Sequence, residues 1–197
     1  MPRFNVKREQ LLQLMPPDSI CAELGVGLGN FSRSILQVAK PKLHYCVDLW
    51  GPMSPNIQGY FFTDQETWDQ RFNNLRQEFK DQNVKFIRDM TYNLPNYCED
   101  KLFDWVYIDG DHTYEGCMKD LQAVKNLVKD NGMILGHDYR SSWRKEIDCG
   151  VVESVNSFVK VNNYYLTVIT EEQFPSYIIT KTKEKNTDIL DKVKTLL

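Results

Sequence analysis

Residues 23–29 read Glu-Leu-Gly-Val-Gly-Leu-Gly, directly after the apolar run Ser19–Ala22 and directly before an amphipathic stretch beginning at Phe31. Glycines at alternate positions let the chain turn sharply from a strand into a helix. They also let a ligand lie against the main chain with no Cβ in the way. A helix starting near Asn30 turns its free N–H groups toward whatever sits at that bend. The segment predicts a nucleoside-bearing ligand at the first strand–helix turn.

The spacing narrows the ligand. A dinucleotide site has the form G-x-G-x-x-G. Gly25 and Gly27 fit its first two positions, but Asn30 occupies the third and the glycine arrives one residue early, at Gly29. Glu23, two residues before the first glycine, repels a pyrophosphate and attracts a cation. S-adenosyl-L-methionine (SAM) carries a sulfonium and an ammonium group and no phosphate. Asp48 ends a second apolar run, Leu43–Val47, where an acid accepts both ribose hydroxyls in nicotinamide and SAM folds alike. For the glycines alone, an ordinary turn remains an alternative reading.

The pattern acid-x-Gly-x-Gly-x-Gly resembles motif I of the class I SAM-dependent methyltransferases. The expected cofactor contacts are Glu23, Gly25, Gly27, Gly29, Asp48 and Asp109, with Glu23 as a cap of the glycine turn and Asp48 as a turn residue the alternative readings. Trp50 either stacks on adenine or closes the core. Asp89, ending the third strand, either meets the adenine amine as in that family or caps a turn.

The 197 residues suit one domain, 1–197, with a full core, and aromatic side chains at 12% fill it well. A net charge of −3 counts against an obligatory nucleic-acid partner. The cysteines Cys21, Cys46, Cys98, Cys117 and Cys149 form no C-x-x-C pair. They read as reduced thiols rather than a zinc site. The N-terminal stretch carries Arg3, Lys7, Arg8 and Glu9 where a signal peptide would be apolar, and no apolar run reaches membrane-spanning length. The expectation is a cytoplasmic protein with a small-molecule partner and no membrane; a homo-oligomer is compatible with the sequence.

Strand-like and helix-like segments alternate. A leading helix is expected over Val6–Met15, and strands over Ser19–Leu24, Leu43–Asp48, Val84–Asp89, Phe103–Asp109, Met133–Gly136, Tyr164–Ile169 and Ser176–Thr180. Trp68, Phe72, Leu75 and Phe79 share one helical stripe, with Thr63 and Glu66 as its capping box. A helix from Tyr114 is stopped by Asn131-Gly132, another runs from Val151 to Val159, and a last one covers Asn186–Leu197. The alternation predicts an α/β, Rossmann-like, doubly wound sheet with helices on both faces. The short link before the last strand makes that pair an antiparallel hairpin. The result is seven strands, mostly parallel. Two long connections, Trp50–Phe62 and Tyr139–Asp148, follow strand C-termini, where such sheets bind ligands.

Two strand ends carry titratable groups. The fourth reads Asp109-Gly110-Asp111-His112 and the fifth Gly136-His137-Asp138-Tyr139. Mutual repulsion and desolvation oppose such a gathering, and a cation relieves it. The runs YIDGDHTYEG…DL and GMILGHDY extend the resemblance to methyltransferase family 24, which groups small-molecule and sugar O-methyltransferases. Metal-dependent relatives there hold a divalent ion that acidifies the acceptor hydroxyl. By position, the resemblance implies Asp109 and Asp138 as ligands and Asp111 as general base; the N-cap of the Thr113 helix is the alternative reading of Asp111. His137 stands where those enzymes are often acidic, so it is either a third ligand or itself the catalytic base; an all-oxygen site suits Mg²⁺ or Mn²⁺, and an imidazole favours transition metals. His112 reads as a local cap, His44 as structural, and Arg140, Arg144 and Lys145 as solvated charge. The reading is a methyltransferase acting on an oxygen of a small hydroxylated molecule. A non-catalytic SAM-binding scaffold or sensor and a nucleotide-dependent oxidoreductase are the alternatives.

Overall fold

The computed structural model describes residues 3–51, 64–140 and 149–197. Among the described residues eight strands form one sheet: β1 (Arg3–Phe4), β2 (Ile20–Leu24), β3 (Leu43–Asp48), β4 (Val84–Arg88), β5 (Phe103–Ile108), β6 (Val128–Gly136), β7 (Tyr165–Thr170) and β8 (Tyr177–Thr180), in the spatial order β1-β7-β8-β6-β5-β2-β3-β4. All pairs are parallel except those made by β8, which runs antiparallel to both β6 and β7. The expected mostly parallel sheet with a terminal antiparallel hairpin is present.

The helices are α1 (Arg8–Leu11), α2 (Asn30–Ser34, continuing as a π-helical turn over Ile35–Ala39), α3 (Gln65–Glu78), α4 (Tyr114–Leu127), α5 (Val151–Asn162) and α6 (Lys183–Lys194). They cover both faces, as the alternation of side chains along β2 shows. Ala22 and Leu24 pack with Cys117 and Leu121 of α4 and with Val155 and Phe158 of α5. Cys21 points the other way, toward Phe31 and Ile35 of the second helix and Ile189 and Val193 of α6. A third cluster joins Trp50, Trp68, Leu75 and Phe79 under α3. Among the described residues no helix is long and apolar enough to cross a membrane.

Several boundaries differ from the sequence expectation. The eighth strand is β1, which pairs Arg3 with Ile169 and Phe4 with Thr170; two residues are too few to carry an alternating pattern. The leading helix is only one α turn, followed by a 3-10 turn over Leu12–Leu14. Helix α4 stops at Leu127, before Asn131-Gly132, because the register between β5 and β6 shifts there and Gly132 fits where a Cβ would lie 2.7 Å from the Asp104 carbonyl. The N-cap of α3 is Asp64, whose carboxylate accepts the Thr67 N–H at 2.7 Å; Thr63 lies outside the described residues, as do most of both long connections. Strand β2 has β3 on one side and β5 on the other, so the chain reverses its direction of winding at the C-terminal end of β2. Open α/β sheets bind ligands at such a switch point.

Candidate functional site

The strand ends at the switch point are joined by backbone hydrogen bonds. The Gly25 N–H donates to Val47 O at 2.9 Å, Asp109 N–H to Leu24 O at 2.7 Å, and His137 N–H to Ile108 O at 3.0 Å. This places Gly25, Asp109 and His137 in a row across three strands. Gly25 has φ 90°, and a Cβ there would lie 2.1 Å from the Asp109 carbonyl oxygen. Gly27 has φ 55°, and its missing Cβ would meet nothing within 4 Å. That open face is a cradle a ligand can occupy. Gly29 serves as the left-handed N-cap of α2 and packs on Leu75.

Asp48 holds this turn from β3. Its Oδ2 accepts the Val26 and Gly27 N–H groups at 2.8 and 2.9 Å, and its Oδ1 accepts the Trp50 N–H at 2.7 Å. The carboxylate expected on ribose hydroxyls is thus already committed to three backbone donors. Trp50 closes the core: it is fully buried, its Nε1 donates to Gly27 O at 3.1 Å, and its ring lies 4.8 Å from that of Phe72. An indole packed in this way does not stack on adenine. Asp89 precedes the 3-10 turn Thr91–Tyr97 and accepts from the Met90 N–H at 2.7 Å, from Asn93 Nδ2 at 3.0 Å and from Tyr97 Oη at 2.8 Å. Those donors hold its carboxyl below the usual range.

Glu23 also departs from expectation. Strand alternation turns it inward, where it is 1% exposed, accepts from Ser32 Oγ, and lies 3.4 Å from His44 Nε2. His44 Nδ1 is 3.6 Å from Cys21 Sγ. This group ties β2, β3 and α2 together beneath the glycine turn, so Glu23 presents no carboxylate to a ligand. Burial raises its carboxyl pKa, against the pull of His44 and Ser32. Burial also pushes the Cys21 and Cys46 thiols well up, which keeps them unreactive.

The titratable groups at the β5 and β6 ends form a closed ring of four atoms. His112 Nε2 is 3.1 Å from Asp109 Oδ1 and 3.5 Å from Asp138 Oδ2; His137 Nδ1 is 3.5 Å from Asp109 Oδ1 and 3.3 Å from Asp138 Oδ2. Asp109, His137 and Asp138 offer donor atoms that all lie within 4.8 Å of one another. Burial would raise the Asp109 carboxyl, but hydrogen bonds from His112 and His137 hold it far below the usual range. Burial would lower His137, but Asp109 and Asp138 bring it up to about 9. With no cation present His137 is therefore an imidazolium at neutral pH and a poor proton acceptor. Asp138 adopts φ 53°, a left-handed conformation that aspartate tolerates.

Asp111, expected as general base, is not in the ring. Its Oδ1 accepts the Thr113 N–H at 2.9 Å, and its carboxyl packs where Gly116 leaves room. The preference of a short acid for its own backbone two residues on explains the difference. Thr113, not Asp111, is the N-cap of α4.

His112 was expected in the strand-end gathering but as a local cap; the convergence of β5 and β6 brings it between two carboxylates. One member was missed. Arg8 reaches in from α1: its guanidinium is 3.6 Å from Asp109 Oδ2 and 4.7 Å from the centroid of the Phe31 ring. No local pattern flags an arginine that joins a site from a separate element. Phe174, from the β7–β8 connection, stacks on His137 at 6.3 Å between centroids.

Residues 22–139 match a family described as a methyltransferase domain. No curated protein sequence matches the chain. The fold is similar to that of a SAM-dependent methyltransferase from Aquifex aeolicus, at 14% identity and TM-score 0.61 over 87% of this chain and 88% of that one. It is also similar to an rRNA methylase from Streptococcus thermophilus, at 13% identity and TM-score 0.61 over 91% and 100%. A third likeness is to a precorrin-6y C5,15-methyltransferase from Geobacter metallireducens, at 13% identity and TM-score 0.57 over 90% and 92%. Another similar structure, at 13% identity and TM-score 0.63, is longer, and this chain spans 46% of it. At these identities the likeness is one of fold, and function has to be argued from the site.

Proposed function

The chain belongs to the methyltransferase-domain family it matches over residues 22–139, and from that premise we propose that it transfers a methyl group from SAM to an oxygen of a small hydroxylated molecule. One observation carries the reading: the open glycine turn and the Asp–His ring are in direct contact, Gly25 against the Asp109 backbone.

The residues fit SAM. The cradle at Gly27 admits a nucleoside against bare backbone. Leu28 and Met90 are exposed, and Tyr97 is exposed beside Asp89, so the strand ends offer apolar surface for an adenosyl group to cover. SAM supplies an electrophilic methyl on a sulfonium. The turn positions the donor by holding its nucleoside. The ring also fits a divalent cation, which at Asp109, His137 and Asp138 would make an acceptor hydroxyl easier to ionise. Asp111 accepts the acceptor's proton only after releasing the Thr113 N–H, and Asp109, held far below the usual carboxyl range by His112 and His137, is a weak proton acceptor. The Arg8 guanidinium lies over the Phe31 ring and Phe174 stacks on His137, so two aromatic side chains border the ring.

The test is calorimetry with SAM and with NAD, followed by transfer of a radiolabelled methyl from SAM to a panel of catechols, sugars and phenols. SAM binding with O-linked label supports the reading. No SAM binding, or label found only on nitrogen, carbon or macromolecules, overturns it.

A further inference from the structure

Strand β1 and helix α1 carry Arg8 to the C-terminal edge of the sheet. Phe4 pairs with Thr170, and its carbonyl accepts the Glu171 N–H at 2.8 Å. Val6 and Leu11, on either side of Arg8 in the chain, are buried, and the Arg8 N–H donates to Glu172 Oε1 at 3.0 Å. The backbone at Arg8 is therefore fixed against the β7–β8 connection. Its guanidinium carbon lies 4.7 Å from the centre of the Phe31 ring, at the second residue of α2, and its Nη1 lies 3.6 Å from Asp109 Oδ2. A guanidinium thus stands between the helix that follows the glycine turn and the strand end that Gly25 touches. Its partners there leave donors of the fork for a ligand. Nε donates to Glu9 Oε1 at 3.3 Å, and the Tyr107 hydroxyl is a further neighbour. The contact with Asp109 is too long for a hydrogen bond. Arg33, the other guanidinium at α2, is already forked onto Glu78 at 2.7 and 2.6 Å.

We propose that Arg8 binds the carboxylate at the amino-acid end of SAM, an inference that rests on SAM being the methyl donor. The apolar surface offered to the adenosyl group, at Met90 and Tyr97, follows β4. A ligand laid along the turn from there runs its other end past Gly25 toward Asp109 and β5. That end carries a carboxylate. Arriving beside Asp109, it needs a cation of its own, because an unpaired charge out of water is costly. His112 and His137 face the carboxylates of Asp109 and Asp138. Arg8 lies on the opposite oxygen of Asp109, at Oδ2, and is not shared with Asp138. A planar guanidinium held on an aromatic face matches a carboxylate with two parallel N–H donors. SAM binding exchanges a loose ion pair for that fork while Asp109 keeps its histidines. The same contact lets the site tell SAM from nucleosides that lack the amino acid.

Calorimetry without any acceptor compares SAM, S-adenosylhomocysteine, decarboxylated SAM and methylthioadenosine as ligands of the parent, R8Q and R8K. The parent should bind SAM at least about tenfold tighter than decarboxylated SAM. R8Q should weaken SAM and S-adenosylhomocysteine by about 10- to 100-fold, and leave decarboxylated SAM and methylthioadenosine within about twofold. Those two ligands, still bound, show that the variant is folded. R8K keeps the charge without the fork and should fall between parent and R8Q. Unchanged SAM affinity in R8Q overturns the proposal, and so does an equal loss for ligands with and without the carboxylate. The parent tests the same point without a variant: no preference for SAM over its decarboxylated form overturns it too. An R8Q effect confined to the KM of the acceptor assigns the fork to an acceptor anion and overturns it as well. A parent that binds no SAM removes the methyl-transfer reading, whereas a parent that binds SAM no better than R8Q does removes this inference alone.

Discussion

Gly25 and Asp109 meet back to back: the face of Gly25 that any other residue would fill lies 2.1 Å from the Asp109 carbonyl oxygen. The ligand turn and the polar ring are thereby one piece of backbone, and a side chain added at Gly25 pushes them apart. Gly25→Ala adds both that clash and a strained φ, and is expected to cost about 3 kcal/mol or more. Gly27→Ala has only the left-handed backbone to overcome, about 1–2 kcal/mol, because its Cβ enters open space. Thermal unfolding with calorimetry separates the two. Gly25→Ala lowers the melting temperature strongly, whereas Gly27→Ala stays folded and loses SAM binding. Full SAM affinity in Gly27→Ala would show that the ligand lies elsewhere.

Asp48 is expected to matter through the backbone before it matters to any ribose. Its two oxygens accept the N–H groups of Val26, Gly27 and Trp50. Asp48→Ala leaves these donors without partners, at about 1–3 kcal/mol, and loosens the turn. Denaturant unfolding should therefore show lost stability in the absence of any cofactor. A variant as stable as the parent, but weaker for SAM, would assign Asp48 to the ligand alone.

Much of this was legible in the chain. Asp48, Asp109 and Asp138 all follow apolar runs, and a parallel sheet brings the C-terminal ends of such runs to one edge, so their gathering needed only the strand order. Side-chain direction was less legible. Glu23 and Asp48 both flank the glycine turn in sequence, but alternation along β2 buries one against Ser32 and His44 while the other faces the turn. Asp109 and Asp111 differ in the same way, because a carboxylate two residues before a free N–H bonds to it. His112 was legible as a member of the strand-end cluster but not as the group between two carboxylates, and Arg8 was not legible as a site residue at all. Its meaning depends on which element lies opposite, and no local spacing encodes that.

Asp120 gives the fold a pH dependence. It is fully buried in α4; Thr91 Oγ1 donates to its Oδ1 at 2.6 Å, and its Oδ2 has no hydrogen-bond partner among the described residues. Burial pushes its carboxyl up to about 7, against the pull of Thr91. In the unfolded chain the same group titrates near 4, so between these values the folded state holds a proton that the unfolded state releases. Stability from Asp120 is therefore complete below about pH 4 and is lost as pH rises through about 7, by an amount of order 4 kcal/mol for a shift of this size. Asp120→Asn carries no such proton. Urea unfolding from pH 4.5 to 8 should show the parent losing stability relative to the variant as pH rises, whereas parallel curves would mean Asp120 is ionised throughout.

Asp109 is where the electrostatics of the ring converge, with Arg8, His112 and His137 all facing its carboxylate. Asp109→Asn keeps the shape and removes the charge. His137 then loses the first of the interactions that raise its pKa, and without added metal it is expected to fall from about 9 toward the ordinary histidine value of about 6.5. Histidine ring resonances followed by NMR titration read that fall directly. On the proposed function, the same change removes the charge of a ring carboxylate whose backbone borders the donor turn, so turnover should drop by about 100-fold or more. SAM affinity should stay within about threefold, because the cradle at Gly27 is untouched. The two readouts together separate a catalytic role from a structural one. A lowered His137 pKa with unchanged turnover would leave the ring intact as an electrostatic unit and remove it from the chemistry.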